Sequence, residues 1–134
     1  MNPFVWNVRV YWEDTDASGV VYHARYLHFF ERARTEWLRG KGVEQAKLAS
    51  EDNVLFAIRH LDIDYINAAR LDDELDITVH SVVTTGVRMT FSQDMKRCFD
   101  QQLVATAHMT AVCLSADTYK PTRMPKWIRA KIDN

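Results

Sequence analysis

The chain has 134 residues, of which 47% are hydrophobic and 26% charged. That length buries roughly two-thirds of its unfolded surface around one core, so residues 1–134 read as a single domain. The composition excludes disordered and collagen-like chains, and a net charge of −1 offers nucleic acid no bulk attraction.

The first candidate strand, 4–13, alternates. Val8, Val10 and Trp12 point to one face, and Asn7, Arg9 and Tyr11 to the other. Residues 14–19 form a polar loop. From His23 the period becomes helical: Tyr26, Phe29, Phe30, Ala33 and Trp37 form one stripe. The helix over 23–39 is a rod of roughly 25 Å, ended by Gly40 and Gly42. A short second helix is expected over 43–50. Strands follow over 55–65, over 75–80 before a turn at Thr85-Gly86, over 87–99, and over 103–114 after a turn at Asp100-Gln101-Gln102. Consecutive strands with short turns make an antiparallel sheet. One long amphipathic helix against five strands makes an α+β two-layer domain.

The N-terminal stretch lacks the basic-then-apolar layout of a signal peptide. The longest uncharged run, 101–116, is polar and too short to span a membrane. A cytoplasmic protein with reduced thiols is expected. The hairpin centred near Gln101 sets Cys98 opposite Val104 and Cys113 opposite Met89, roughly 30 Å apart along the ladder. No disulfide is expected between them.

The strongest local feature is Glu13-Asp14-Thr15-Asp16-Ala17-Ser18-Gly19, three carboxylates between a strand and a long helix. Read plainly, it is a solvated loop with capping residues. Its position also suits chemistry. A helix N-terminus presents unpaired N–H groups with partial positive charge, which polarise a carbonyl oxygen placed there. A carboxylate just upstream can attack that carbonyl or deprotonate a water. Gly19 allows close approach of a ligand, and His23 stands where the helix begins.

An Asp-x-Asp after a strand also suits a Mg²⁺-dependent phosphatase, with Asp72-Asp73 as the second acidic pair. That fold needs a parallel sheet with alternating helices, and the second half here is all strand. No histidine pair has i, i+4 spacing, and no Cys-x-x-Cys, dinucleotide, phosphate-loop or Gly-x-Ser-x-Gly motif is present. Neither metal nor cofactor is expected. The basic C-terminal stretch (Lys120, Arg123, Lys126, Arg129, Lys131) is either a solvated terminal helix or a phosphate clamp that Arg88, Lys96 and Arg97 join from the sheet.

The string from Val8 to Tyr26, running on into Phe29-Phe30-Glu31-Arg32-Ala33-Arg34, resembles the active-site signature of the 4-hydroxybenzoyl-CoA thioesterase family, and more closely its Tol-Pal-associated, YbgC-type acyl-CoA thioesterase branch. Asp62-Ile63-Asp64-Tyr65 through Leu71-Asp72-Asp73, Val112-Cys113 and Lys120-Pro121…Pro125 also resemble that branch. The resemblance implies a hotdog fold, one long central helix wrapped by a five-stranded antiparallel sheet. It implies dimers or tetramers with sites at the dimer interface. It implies hydrolysis of short- to medium-chain acyl-CoA, with no metal or other cofactor. Asp16 would be nucleophile or general base, and the His23 backbone N–H would polarise the thioester carbonyl. Tyr22 and His23 would line the site, and Gly19, Val20 and Tyr65 would meet the substrate. Arg88, Lys96, Arg97, Arg123 and Lys126 would hold the CoA phosphates. Glu31 and Glu36 stand as alternative carboxylates, because other hotdog lineages carry theirs on the helix. An acyl carrier protein or an envelope-biogenesis protein would be the further partner, with no nucleic acid and no membrane insertion. Where the family often has Pro-Ala after the second motif, this chain has Ala68-Ala69.

Overall fold

The computed structural model describes residues 4–133; the other residues of the expected 1–134 domain, including the first three of the N-terminal stretch, lie outside the described residues. In chain order the elements are β1 (Phe4–Arg9), α1 (Arg25–Gly40), the one-turn α2 (Gln45–Lys47), β2 (Val54–Tyr65), β3 (Glu74–Val79), β4 (Ser81–Thr85), β5 (Arg88–Arg97), β6 (Leu103–Ser115) and α3 (Lys126–Asp133). The sheet runs β1-β3-β5-β6-β2, with β4 also on β5. Every strand pair is antiparallel, which removes the phosphatase alternative with its parallel sheet.

The long helix forms where its stripe predicts. Tyr26, Phe29, Phe30, Ala33 and Leu38 are buried on it, facing Val10, Leu75, Ile77 and Met95 of the sheet side of the core. Trp37 sits at the margin, its ring edge-on to Phe91 at 5.9 Å. Gly42, at φ +84°, takes the left-handed conformation that turns the chain out of the helix. The terminal helix α3 buries Ile128 and Ile132 and touches β4, where the Thr84 hydroxyl donates to Asp133 at 2.9 Å. It is therefore packed on one face.

Arg34 breaks the apolar stripe. It is 8% exposed, and its guanidinium donates to Gln93 Oε1 at 3.1 Å and to the Met109 sulfur. Gln93, fully buried, passes the chain of bonds on by donating to the Phe30 carbonyl at 3.1 Å. Burial lowers the Arg34 pKa to about 10, which leaves it charged at neutral pH.

Three expectations are corrected. The first strand stops at Arg9, and a 3₁₀ turn over Trp12–Asp14 follows. The Asp14 carboxylate accepts the Tyr11 N–H at 2.8 Å, and the Asp14 N–H donates to the Tyr11 carbonyl at 3.0 Å. This local bonding competes with the ladder and swings Trp12 outward, where it is 77% exposed. Second, the strand begun at Leu75 ends at Val79, and a further strand, β4, occupies Ser81–Thr85 before the turn. Leu75 pairs with Arg97 but Ser81 pairs with Ser92, a slip of one residue between β3 and β4. The Thr78 hydroxyl accepts the Asp94 N–H there at 3.1 Å. The sheet thus has six strands where five were expected. Third, the β5–β6 register is two residues off the expected one. Arg88 faces Val112, and the Cys113 N–H donates to the Val87 carbonyl at 2.8 Å. The turn closes early because Gln101 adopts φ 59° and its N–H donates to the Arg97 carbonyl at 2.8 Å. Cys98 and Cys113 are both free thiols.

Candidate active site

The segment between β1 and α1 is a built loop. The Asp16 N–H donates to Val20 O at 2.9 Å and the Gly19 N–H to Asp16 O at 3.1 Å. Gly19 closes that turn at φ +83°, a conformation that costs other residues strain. Isolated bridges Thr15–Val21 and Val20–Arg70 fasten the loop to itself and to the segment before β3. Below it, buried Asp14 ties the turn to the helix, with Arg25 Nε 3.3 Å from its carboxylate.

The Asp16 carboxylate is exposed and held on one oxygen. Its Oδ1 accepts the Ser18 hydroxyl at 2.5 Å and the Ser18 N–H at 2.8 Å. The Ser18 hydroxyl first, then the Ser18 amide, hold its pKa below the ordinary 3.8. Asp16 is an anion at neutral pH with its second oxygen outside these bonds.

The helix start supplies the opposite polarity. The Tyr22 N–H donates to Asp14 O at 2.9 Å and the Arg25 N–H to Tyr22 O at 2.8 Å, whereas the N–H groups of His23 and Ala24 have no protein acceptor among the described residues. The Tyr65 hydroxyl donates to the His23 carbonyl at 2.7 Å and pins this corner to the end of β2. The Tyr26 hydroxyl accepts the Ala69 N–H at 3.1 Å. Burial raises the pKa of both phenols, which stay neutral.

Asp16, Val20, His23, Tyr26 and Tyr65 line one hollow of about 320 Å³, with Val21 and Ile66–Ala68 completing it. Asp16 also lines a second hollow of about 430 Å³, shared with Trp12, Thr15, Ala17, Gly19 and Leu71. The structure therefore gathers Asp16, Val20, His23 and Tyr65 in one hollow and Gly19 in its neighbour. Tyr22 lines neither; it is exposed, with its ring 4.5 Å from that of His23. The sequence placed Tyr26 on the helix's apolar stripe and Trp12 on one face of the first strand, and marked neither as a lining residue. A Tyr at the start of an apolar stripe, with its hydroxyl able to bond a passing backbone, was the signal for Tyr26.

The alternative carboxylates lie elsewhere. Glu31 borders a third hollow of about 300 Å³ with Arg34, Leu38, Phe56 and Phe91, which shares no residue with the other two. Glu36 stands 3.3 Å from Arg39. The basic candidates are dispersed. Arg88 and Lys96 occupy opposite ends of β5, roughly 26 Å apart at a strand's rise. Arg97 is engaged: it clasps Asp100 at 3.0–3.2 Å and donates to the Ala68 carbonyl at 2.9 Å. Arg123 and Lys126 are exposed before and at the start of α3. Among the described residues, no three His, Cys, Asp or Glu side chains are grouped to hold a metal ion, and no helix is long and apolar enough to cross a membrane.

Asp16 and His23 thus line one hollow at the start of a long helix wrapped by an antiparallel sheet, which is a hotdog fold. The chain belongs to the thioesterase-like superfamily, whose family model matches residues 10–132. An acyl-CoA thioesterase, YbgC, of Haemophilus influenzae is 43% identical over 129 residues, covering 96% of this chain and 93% of that protein. A 1,4-dihydroxy-2-naphthoyl-CoA hydrolase of Synechococcus elongatus is 31% identical over 125 residues, covering 90% of each. Among solved structures, a probable thioesterase from Bartonella henselae is 35% identical at a TM-score of 0.78, covering 92% of this chain and all of that one. A 1,4-dihydroxy-2-naphthoyl-CoA thioesterase from Synechocystis shares the fold at a TM-score of 0.90 and 23% identity, covering 99% and 97%.

Proposed function

We propose that this protein hydrolyses acyl-CoA thioesters of short to medium aliphatic chain length to the free acid and CoA, with Asp16 as the reacting carboxylate. The observation that carries this reading is that an exposed, ionised Asp16 and His23, whose backbone N–H has no protein acceptor among the described residues, line one hollow at the start of α1. A thioester carbonyl oxygen lodged at that N–H gains stabilisation as it becomes an oxyanion. The free Asp16 oxygen then has two routes. As nucleophile it attacks the carbonyl carbon, the C–S bond breaks, the thiolate leaves, and water hydrolyses the mixed anhydride. As general base it takes a proton from a water that attacks the same carbon. The relatives named for acyl-CoA hydrolysis, at 42–43% identity over 96% of the chain, support the substrate class.

The exposed edge of β2 supports self-association. It ends the sheet, runs twelve residues, and presents Ile58, Leu61 and Tyr65 at 39–46% exposure. Unpaired edges are usually covered, and a second copy paired there gives a dimer with a continuous sheet. Arg88, Lys96, Arg123 and Lys126 are the exposed cations available to CoA phosphates, and Arg97 serves by bracing the Ala68 carbonyl beside the hollow. The alternative is a cytoplasmic binding module for acyl carrier protein or an envelope-biogenesis partner within a Tol-Pal setting, with weak hydrolysis.

The test is turnover of a panel of acyl-CoAs, from two to twelve carbons, read by thiol release. Turnover that peaks below about eight carbons supports the proposal; no release above the blank favours the binding module. A single turnover in ¹⁸O-water tests the nucleophilic route: label in Asp16 requires a mixed anhydride opened by water at the Asp16 carboxyl carbon, whereas label in the product acid alone arises from the general-base route or from water attack at the acyl carbon.

A further inference from the structure

A thioester carbon bonded at Asp16 carries two arms that leave in different directions, the acyl chain and the thiol-side chain. Two hollows flank Asp16, and it lines both. The first is bounded by Val20, Val21, Tyr26 and Ile66 together with His23, Tyr65 and Asn67, and its two phenols are already bonded to backbone. The second is bounded by Trp12, Thr15, Ala17 and Leu71, and Trp12, 77% exposed, stands at its mouth.

Trp12 is costly where it is. An exposed indole forgoes the burial that the alternation of β1 would have given it. The chain leaves the ladder to put it there, through the Asp14 turn described above. The turn is also fixed: the Thr15 hydroxyl donates to the Trp12 carbonyl at 2.8 Å and the Thr15 N–H donates to the same oxygen at 3.2 Å. The result is a flat apolar face with a polar N–H edge, held beside the reacting carboxylate and open to solvent.

We propose that Trp12 and the hollow it borders hold the phosphopantetheine arm of the substrate, and that the acyl chain occupies the hollow lined by Tyr26. This deepens the proposed function and rests on it. The arm is amphipathic, with two amides and a geminal dimethyl group, and an indole meets both characters. It must also run outward, because it ends in a nucleotide or a carrier protein too large for either hollow. CoA and acyl carrier protein share this arm, so the chemistry admits either source.

The test compares wild type, Trp12→Ala and Trp12→Phe on three butyryl thioesters: CoA, holo acyl carrier protein and N-acetylcysteamine, which lacks most of the arm. Trp12→Ala should raise KM for butyryl-CoA about tenfold, the scale of one lost aromatic contact. It should leave kcat within about twofold, change kcat/KM for the N-acetylcysteamine thioester less than about twofold, and be largely rescued by Phe. A defect shared with the carrier-protein thioester supports the shared arm, and turnover of only one carrier by wild type names its source; where wild type turns over both, a defect confined to one would overturn the proposal, since Trp12 would then meet what differs between the carriers. Equal losses on CoA and N-acetylcysteamine thioesters would overturn the proposal, since Trp12 would then act by shaping the Asp16 loop. A changed chain-length profile with an unchanged CoA to N-acetylcysteamine ratio would also overturn it, by placing the acyl chain against Trp12. If wild type hydrolyses none of the three, it is the thioesterase reading that fails, and calorimetric titration with CoA decides the arm site: Trp12→Ala weakening binding about tenfold supports it, and unchanged binding overturns it.

Discussion

Ser18 sets how strongly Asp16 holds its charge. Its hydroxyl and its amide both bond the carboxylate and lower the pKa. On the proposed role the ionised form is the reactive one, so activity should be retained above the lowered pKa and lost as pH falls through it. Ser18→Ala removes the hydroxyl and leaves the amide. The folded pKa then rises toward the ordinary carboxylate value, and the acid limb of the kcat/KM profile moves to higher pH while the neutral-pH plateau holds. An unmoved limb would show that another group controls it. At this scale the acidic loop before a helix was legible, with His23 at the helix start, but the choice of Asp16 among its three carboxylates came from the family resemblance alone. It was not legible for Trp12, because strict alternation gave no sign that Asp14 would close a turn on Tyr11. Asp14 itself is buried and faces Arg25 instead of either hollow. Asp14→Asn should therefore lower the denaturation midpoint, by about 1–2 kcal/mol of lost charge-assisted bonding, and depress kcat far less than a change at Asp16. Urea unfolding beside steady-state kinetics separates the two effects.

Among the elements, α1 carries the fold and aims the site. Its apolar stripe was readable from spacing alone, and so was the rhythm of strands behind it. Arg34 was not, because a charged residue within the stripe reads as surface until the sheet supplies Gln93 beneath it. Arg34→Ala leaves a cavity and an unpaired Gln93 oxygen, and should destabilise the protein by about 2–4 kcal/mol in urea unfolding. Arg34→Met refills most of the volume and should cost less. Equal losses for both would mean that the hydrogen bond, not the packing, dominates. The slip at His80 and the early β5–β6 turn escaped the sequence for a related reason. Each depends on one residue's local conformation or side-chain bond, Thr78 to Asp94 and Gln101 at positive φ, and periodicity does not record either.

At the scale of the whole molecule, the single copy leaves β2 open along the sheet edge, and the corner of the site pinned by Tyr65 lies at the end of that strand. Light scattering at low micromolar concentration should give at least twice 15.6 kDa. Replacing Ile58 and Leu61 together by Asp should shift the protein toward monomer and lower kcat/KM with it. A fully active monomer would detach the site from the edge. The central claim, that Asp16 does the chemistry, is tested most directly by steady-state hydrolysis of butyryl-CoA by wild type and Asp16→Asn, with calorimetric CoA titration of both. Asparagine keeps the shape and loses the charge, so kcat should fall by about 10²–10⁴ while CoA affinity stays within about twofold. An Asp16→Asn enzyme within tenfold of wild-type kcat would contradict the account and move the chemistry to another carboxylate, with Glu31 the first to examine.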